Sequence, residues 1–347
     1  MLYKSKQRPG VFSSYTVSGK NGGRTSEQAV GLVSTAVAGE CGKVYKFTRL
    51  SALLEVFGNS GNMLDMAEIL FSGGVSKIYC VGIDTQSGDI NRLYAEAFEL
   101  LELFEDIGAV VCDSGNIEVH ELLKESVGRS SQMLKERIGF CSTDMDKSIT
   151  EAKQMDFERI CVATPEVSYK GQKGYFLAAV YAALALSSAD PAQNLNMSEF
   201  FADIALETKP TDQEIDELVE NGVAIFEPIN KGVRLIRAVT TKVGGQSNNY
   251  GFGELSTVRI VDYVMASIRN MLKVRLKGAK NSQSTLEAIR TQTALQLEEM
   301  LDSEIISSYD PPTAFVSEED TTICVVEISF SVMHIMHQIH LMAYITV

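Results

Sequence analysis

The chain has 347 residues, 45% of them apolar, enough for two domains with a real core. Its net charge of −14 argues against nucleic acid as a main partner, because phosphate binding needs a basic surface. No apolar run approaches the roughly 20 residues that span a bilayer, so direct membrane insertion is not expected. Lys4, Lys6 and Arg8 have no apolar stretch behind them, so no secretory signal is expected. The six cysteines form no CxxC pair, and Cys80, Cys112, Cys141 and Cys161 lie at or near the ends of apolar runs. They read as small buried hydrophobes in a reducing cytoplasm.

In chain order, a short extended piece at Arg8–Ser18 precedes a polar linker over residues 19–25. Strands are predicted over 30–37, 42–47, 75–83, 108–112, 137–141 and 157–162. Helices are predicted over 51–57, 62–71, 90–104, 118–135, 148–154 and 175–187. Short, nearly all-apolar strands between amphipathic helices imply a mostly parallel sheet covered on both faces, an α/β fold. Residues 196–208 read as an irregular connection. Thr211 and Glu214 form a capping box for a helix over 212–220, stopped at Asn221-Gly222. Residues 223–229 and 233–240 read as a hairpin. The glycine-rich stretch 244–253 marks a boundary, giving an arm over 1–20, an α/β domain over 21–243 and an α+β C-terminal domain over 244–347 with extended terminal strands. Two helices follow, over 256–276 and 285–301, the second capped by Ser284. A loop over 307–320, holding Pro311-Pro312, leads to terminal strands. There Val326, Ile328, Phe330 and Val332, then Ile339, Leu341, Ala343, Ile345 and Val347, alternate with mostly polar residues.

Catalytic chemistry is hard to find. The sequence has no phosphate-cradling glycine loop and no GxSxG elbow. His120 sits in a charged helix and is expected to be solvated; its spacing of eight from Cys112 is weak support for a dyad. Asp113 and Asp144 follow strand ends, a weak positional hint. His334, His337 and His340 would gather around a metal on a helix, but the alternation favours a strand, with His334 and His340 about 20 Å apart on one face. A turn at His337 could still bring those two together; interface polar residues are the preferred role. No catalytic residue, cofactor or metal is assigned. Arg259, Arg269, Lys273, Arg275, Lys277 and Lys280 make a locally basic strip in an acidic chain, read either as a solvated face or as a docking strip for an acidic partner. Strands at chain ends have unpaired edges that recruit other copies.

Four segments carry a family resemblance: Arg8-Pro9-Gly10-Val11; residues 48–58 with 66–81; the hairpin 222–226 and 232–240; and residues 258–272 with the terminal strands. On these, the chain resembles contractile-tail sheath proteins of bacteriophages and of phage-tail-like bacteriocins. The resemblance implies an α/β domain similar in topology to subtilisin without its triad, and a C-terminal domain lying inward. It implies inter-subunit strand exchange through Pro9, Gly10, Val11 and Phe12 in the arm, and through Val326, Ile328, Phe330, Ile339, Leu341, Tyr344 and Ile345 near the C-terminus. Arg269, Lys273, Arg275, Lys277 and Lys280 become candidate contacts to a tail tube. Implied partners are further copies in a helical sheath, the tube protein, and baseplate and tail terminator proteins, in a virion tail or bacteriocin particle assembled in the bacterial cytoplasm. The chain is short for the family and resembles a minimal member without an inserted outer β-sandwich. A competing reading is an α/β hydrolase-like enzyme with strand-swapped oligomerisation, which requires titratable groups to converge near Asp113, His120 and Asp144. A surface-layer or shell protein would also expose strands, but would usually carry a secretion signal.

Overall fold

A computed structural model describes residues 28–59, 61–84, 88–207, 209–243, 250–337 and 341–342. The expected arm, and Ile339, Tyr344 and Ile345, lie outside the described residues.

The chain opens with β1 (Ala29–Thr35) and β2 (Val44–Phe47), then α1 (Leu50–Phe57) and α2 (Asn62–Ser72). An alternating series follows: β3 (Ile78–Ile83), α3 (Ile90–Leu101), β4 (Ile107–Cys112), α4 (Ile117–Gln132), β5 (Ile138–Ser142), α5 (Met145–Met155) and β6 (Ile160–Thr164). After the short β7 (Val167–Tyr169) and β8 (Gln172–Gly174) comes α6 (Leu177–Leu186). Then come β9 (Glu199–Phe201), β10 (Ile204–Ala205), α7 (Asp212–Glu220), β11 (Val223–Ile229) and β12 (Gly232–Leu235). The C-terminal part holds α8 (Leu255–Leu276), α9 (Gln283–Asp302), β13 (Ile306–Val316) and β14 (Cys324–Val332).

The main sheet has nine strands in the order β2-β3-β1-β4-β5-β6-β11-β12-β9. The central run from β3 to β11 is parallel, and β2, β12 and β9 pair antiparallel at the margins. This is the mixed α/β architecture expected from the apolar runs. Alternation along each strand sorts side chains to two faces. Val30, Leu32, Ala109, Val111 and Phe140 face α1, α2, α6 and the start of α8. Val33, Val110, Cys112, Cys141 and Val162 face α3 and α4. Helix α6 is buried on every side, as its alanine-rich sequence requires. Its Tyr181 meets Phe140 edge-on at 5.1 Å and donates to the Val239 carbonyl at 2.9 Å.

Helix α7 begins with the expected Thr211–Glu214 capping box. Gly222 follows its C-cap at φ 76°, where a β-carbon would also press on the Thr240 carbonyl. Four expectations need correction. Helix α9 is capped by Ser282, which accepts from the Thr285 amide, and not by Ser284. The irregular connection contains β9 and β10. The hairpin's second strand ends at Leu235 rather than Thr240. The Pro311-Pro312 segment lies inside an eleven-residue strand rather than a loop. The ladder pairs Asp310 with Ser329 and Thr313 with Glu327, so both prolines fall at a bulge where no amide is needed.

Candidate functional site

Helix α8 joins the sheet to the C-terminal hairpin, and its polar face is clamped down. Arg159, at the start of β6, holds Asp262 through two bonds of 2.5 and 2.6 Å. Arg269 reaches Glu136 at 2.5 and 3.0 Å and the Leu134 carbonyl at 3.2 Å. Arg259 donates to the carbonyls of Ser188 and Asp190. Burial pushes the Arg259 guanidinium down to about 10. Asp262 and Arg269 are two turns apart, and Arg259 precedes Asp262 by one, so all three lie along one helix face. This clamp was not foreseen. Its only sequence signal is that 259–262–269 spacing.

Arg269 is therefore 4% exposed and bound to this chain's own Glu136. It does not belong to an exposed basic strip. Lys273, Arg275, Lys277 and Lys280 are exposed beyond the clamp, with Arg275 touching Gln292 on α9.

The C-terminal hairpin is thinly covered. Val264, Ile268, Leu297, Met300, Ile305 and Ile306 make its small core, with Ile328 and Phe330 packed against it. Val326, Ile328 and Phe330 are half-buried, and β14 pairs with β13 of the same chain, Val326 opposite Ala314 and Phe330 opposite Tyr309. Among the described residues this sheet has only two strands, so each keeps one unpaired edge. Among the described residues the predicted strand pattern stops at Val332. Residues 333–337 are not a strand and return to the α/β body, where Asn194 donates to the Met336 carbonyl and Asn196 meets His337 Nδ1 at 2.9 Å. Leu341 is 92% exposed.

The acid–base candidates are held in three different hydrogen-bonded groups. Asp113 follows β4 beside the end of β1, where strand order reverses and α/β folds place their ligands. Its Oδ2 accepts from Ser34 Oγ at 2.9 Å, Thr35 N at 3.0 Å, Thr35 Oγ1 at 2.8 Å and Asn62 Nδ2 at 2.9 Å. Its Oδ1 accepts from Tyr94 at 2.5 Å. Burial and the neighbouring carboxylate raise the Tyr94 phenol above its ordinary value. The carboxylate ties β1, β4, α2 and α3 together and has little lone-pair capacity left for a substrate proton. Asp144 begins α5 with Lys147 and Tyr175 as partners. His120, expected to be solvated, is wholly buried and bonded to Glu151 and to the Ser114 carbonyl. Beside it lies Cys112.

No family model matches the chain, and no curated protein does either. Solved structures do. A chain of the anti-feeding prophage baseplate superposes with a TM-score of 0.76 at 13% identity, covering 99% of this chain and 100% of that one. The helical sheath of the same particle in its contracted state gives 0.74 at 12%, covering 98% and 99%. A sheath tail protein from Desulfitobacterium hafniense gives 0.70 at 10%, covering 92% and 99%. The chain has the tail-sheath fold. The sheath fold accounts for both halves at once, since the superpositions run through the α/β body and the C-terminal hairpin alike. Among the described residues no helix is long and apolar enough to cross a membrane.

Proposed function

We propose that this chain is a structural sheath subunit. It polymerises into a helical contractile sheath around a tail tube, and contraction drives the tube through a target cell envelope. The observation that carries this is end-to-end likeness to a helical sheath in its contracted state, over 98% of this chain and 99% of that one. The two-stranded hairpin supports it, because a pair of strands with free edges is marginal alone and gains stability when another copy's strand completes the sheet. In this reading residues 1–20 are an exchange arm, 21–243 the α/β body and 244–347 the inward domain. The body's sheet corresponds in topology to subtilisin, with no catalytic role. Pro9, Gly10, Val11, Phe12, Val326, Ile328, Phe330, Ile339, Leu341, Tyr344 and Ile345 link neighbouring subunits. Lys273, Arg275, Lys277 and Lys280 face the tube. Baseplate and terminator proteins close the ends of the particle, which is assembled in the host cytoplasm.

The mechanism follows from rigid bodies joined by shared strands. Subunits can rotate and slide while the exchanged backbone hydrogen bonds survive. Weak polar contacts with the tube hold the extended form, and larger subunit contacts form on contraction. The hydrolase reading lacks support, because Asp113 is held by donors from β1, α2 and α3 and His120 has no access to solvent.

The test is truncation before Cys324. The expected product is a folded protein that no longer polymerises; loss of the body's own cooperative unfolding would instead assign the strand to the subunit core. Charge reversal at Lys273 and Lys277 should leave subunit stability unchanged and weaken assembly on tubes. Undiminished assembly would remove the tube-contact assignment.

A further inference from the structure

One cluster of chemically capable side chains has no role in the assembly proposed above. Cys112 ends β4 and Cys141 lies in β5, both on the face covered by α3 and α4. The register that pairs Val111 with Phe140 sets the two cysteines side by side on neighbouring parallel strands. His120 of α4 lies against both thiols. Glu151 of α5 closes the group through the ring's Nδ1. All four residues are 3% exposed or less. Donor atoms of His120, Cys141 and Glu151 lie within 4.8 Å of one another.

We propose that His120, Cys141 and Glu151, whose donor atoms already cluster, form a structural zinc site, with Cys112 on the neighbouring strand as the fourth ligand. Zinc takes thiolate, imidazole and carboxylate ligands in a closed tetrahedral set, and these four supply two sulfurs, one nitrogen and one oxygen. The ring is oriented for this role. A carbonyl can only accept, so the 2.6 Å contact with Ser114 fixes the proton on Nε2 and leaves Nδ1 to the ion. A metal-bound histidine ordinarily gives its other N–H to such an acceptor. A dication would offset the cost of placing a carboxylate in an apolar layer between helices and sheet. Binding releases the thiol protons and the proton between His120 and Glu151. Complete burial leaves no open coordination position for a substrate, so the ion would join β4, α4, β5 and α5 and catalyse nothing.

The test uses the full chain expressed with zinc, and separately with cobalt, and purified without chelator. The expected result is about one metal ion per chain by elemental mass spectrometry, since a structural site fills during folding. The cobalt form should show thiolate-to-metal charge transfer and tetrahedral ligand-field bands. Cys141→Ser and Cys112→Ser should each weaken the charge-transfer band, and Glu151→Gln should lower metal content while keeping both thiolates. Chain purified metal-free from both media, or metal retained with an unchanged spectrum in both cysteine variants, would overturn the proposal. The wild-type cobalt spectrum decides the matter even if a variant fails to fold.

Discussion

The α/β body and the C-terminal hairpin solve the same problem differently. The body buries its sheet on both faces, keeps its margins short with β2 and the three-residue β9, and satisfies its inner carboxylates from its own donors. The hairpin has two strands, half-buried apolar residues and a small core. The body satisfies itself within one chain, while each hairpin strand keeps an unpaired edge, which in the proposed sheath a neighbour would fill. The clamp on α8 couples the two, so that a load on the hairpin reaches the sheet.

The largest expected effects test the clamp and the body. Asp262→Ala would remove the carboxylate that holds the buried Arg159, at a cost of about 3–5 kcal/mol. Phe140→Ala, which removes a ring packed on Tyr181, should cost about 3–5 kcal/mol. Both are read by denaturant unfolding of the chain truncated before Cys324, and a loss below 1 kcal/mol for both would show that the body is not the rigid half. Next comes Asp113→Ala, which orphans Tyr94 and the donors of β1 and α2 at about 1–3 kcal/mol by the same measurement. Phe330→Ala in the half-buried hairpin should cost less than Phe140→Ala in the subunit yet reduce polymerisation more; the reverse ranking would erase the contrast. The smallest effect is at the α7 cap. Hydrogen bonds from Thr211 hold the Glu214 carboxyl below its ordinary value, so its contribution is present at neutral pH and is lost as pH falls through the folded value. Thr211→Ala should flatten that slight acid dependence in the unfolding midpoint.

The body was legible because its strands are short apolar runs and its helices carry clear stripes. The hairpin was not, because Pro311-Pro312 signals a break, and only the bulged register lets both prolines sit within β13. Strands β7 to β10 have two or three residues each, too few for alternation to register. His120 was misplaced by its charged neighbours Glu118, Glu121 and Lys124. Its spacing from Leu123 and Val127 puts it on the buried stripe of α4 and could have revealed it. Arg269 was counted with the lysines on charge alone, and pairing with Glu136, distant in sequence, cannot be read from composition.

Electron microscopy of the purified chain of 347 residues, with and without a co-expressed tube protein, tests the central claim most directly. Hollow helical tubes, absent from the chain truncated before Cys324, are the result expected of a sheath subunit. Monomers or small closed oligomers under both conditions would contradict it.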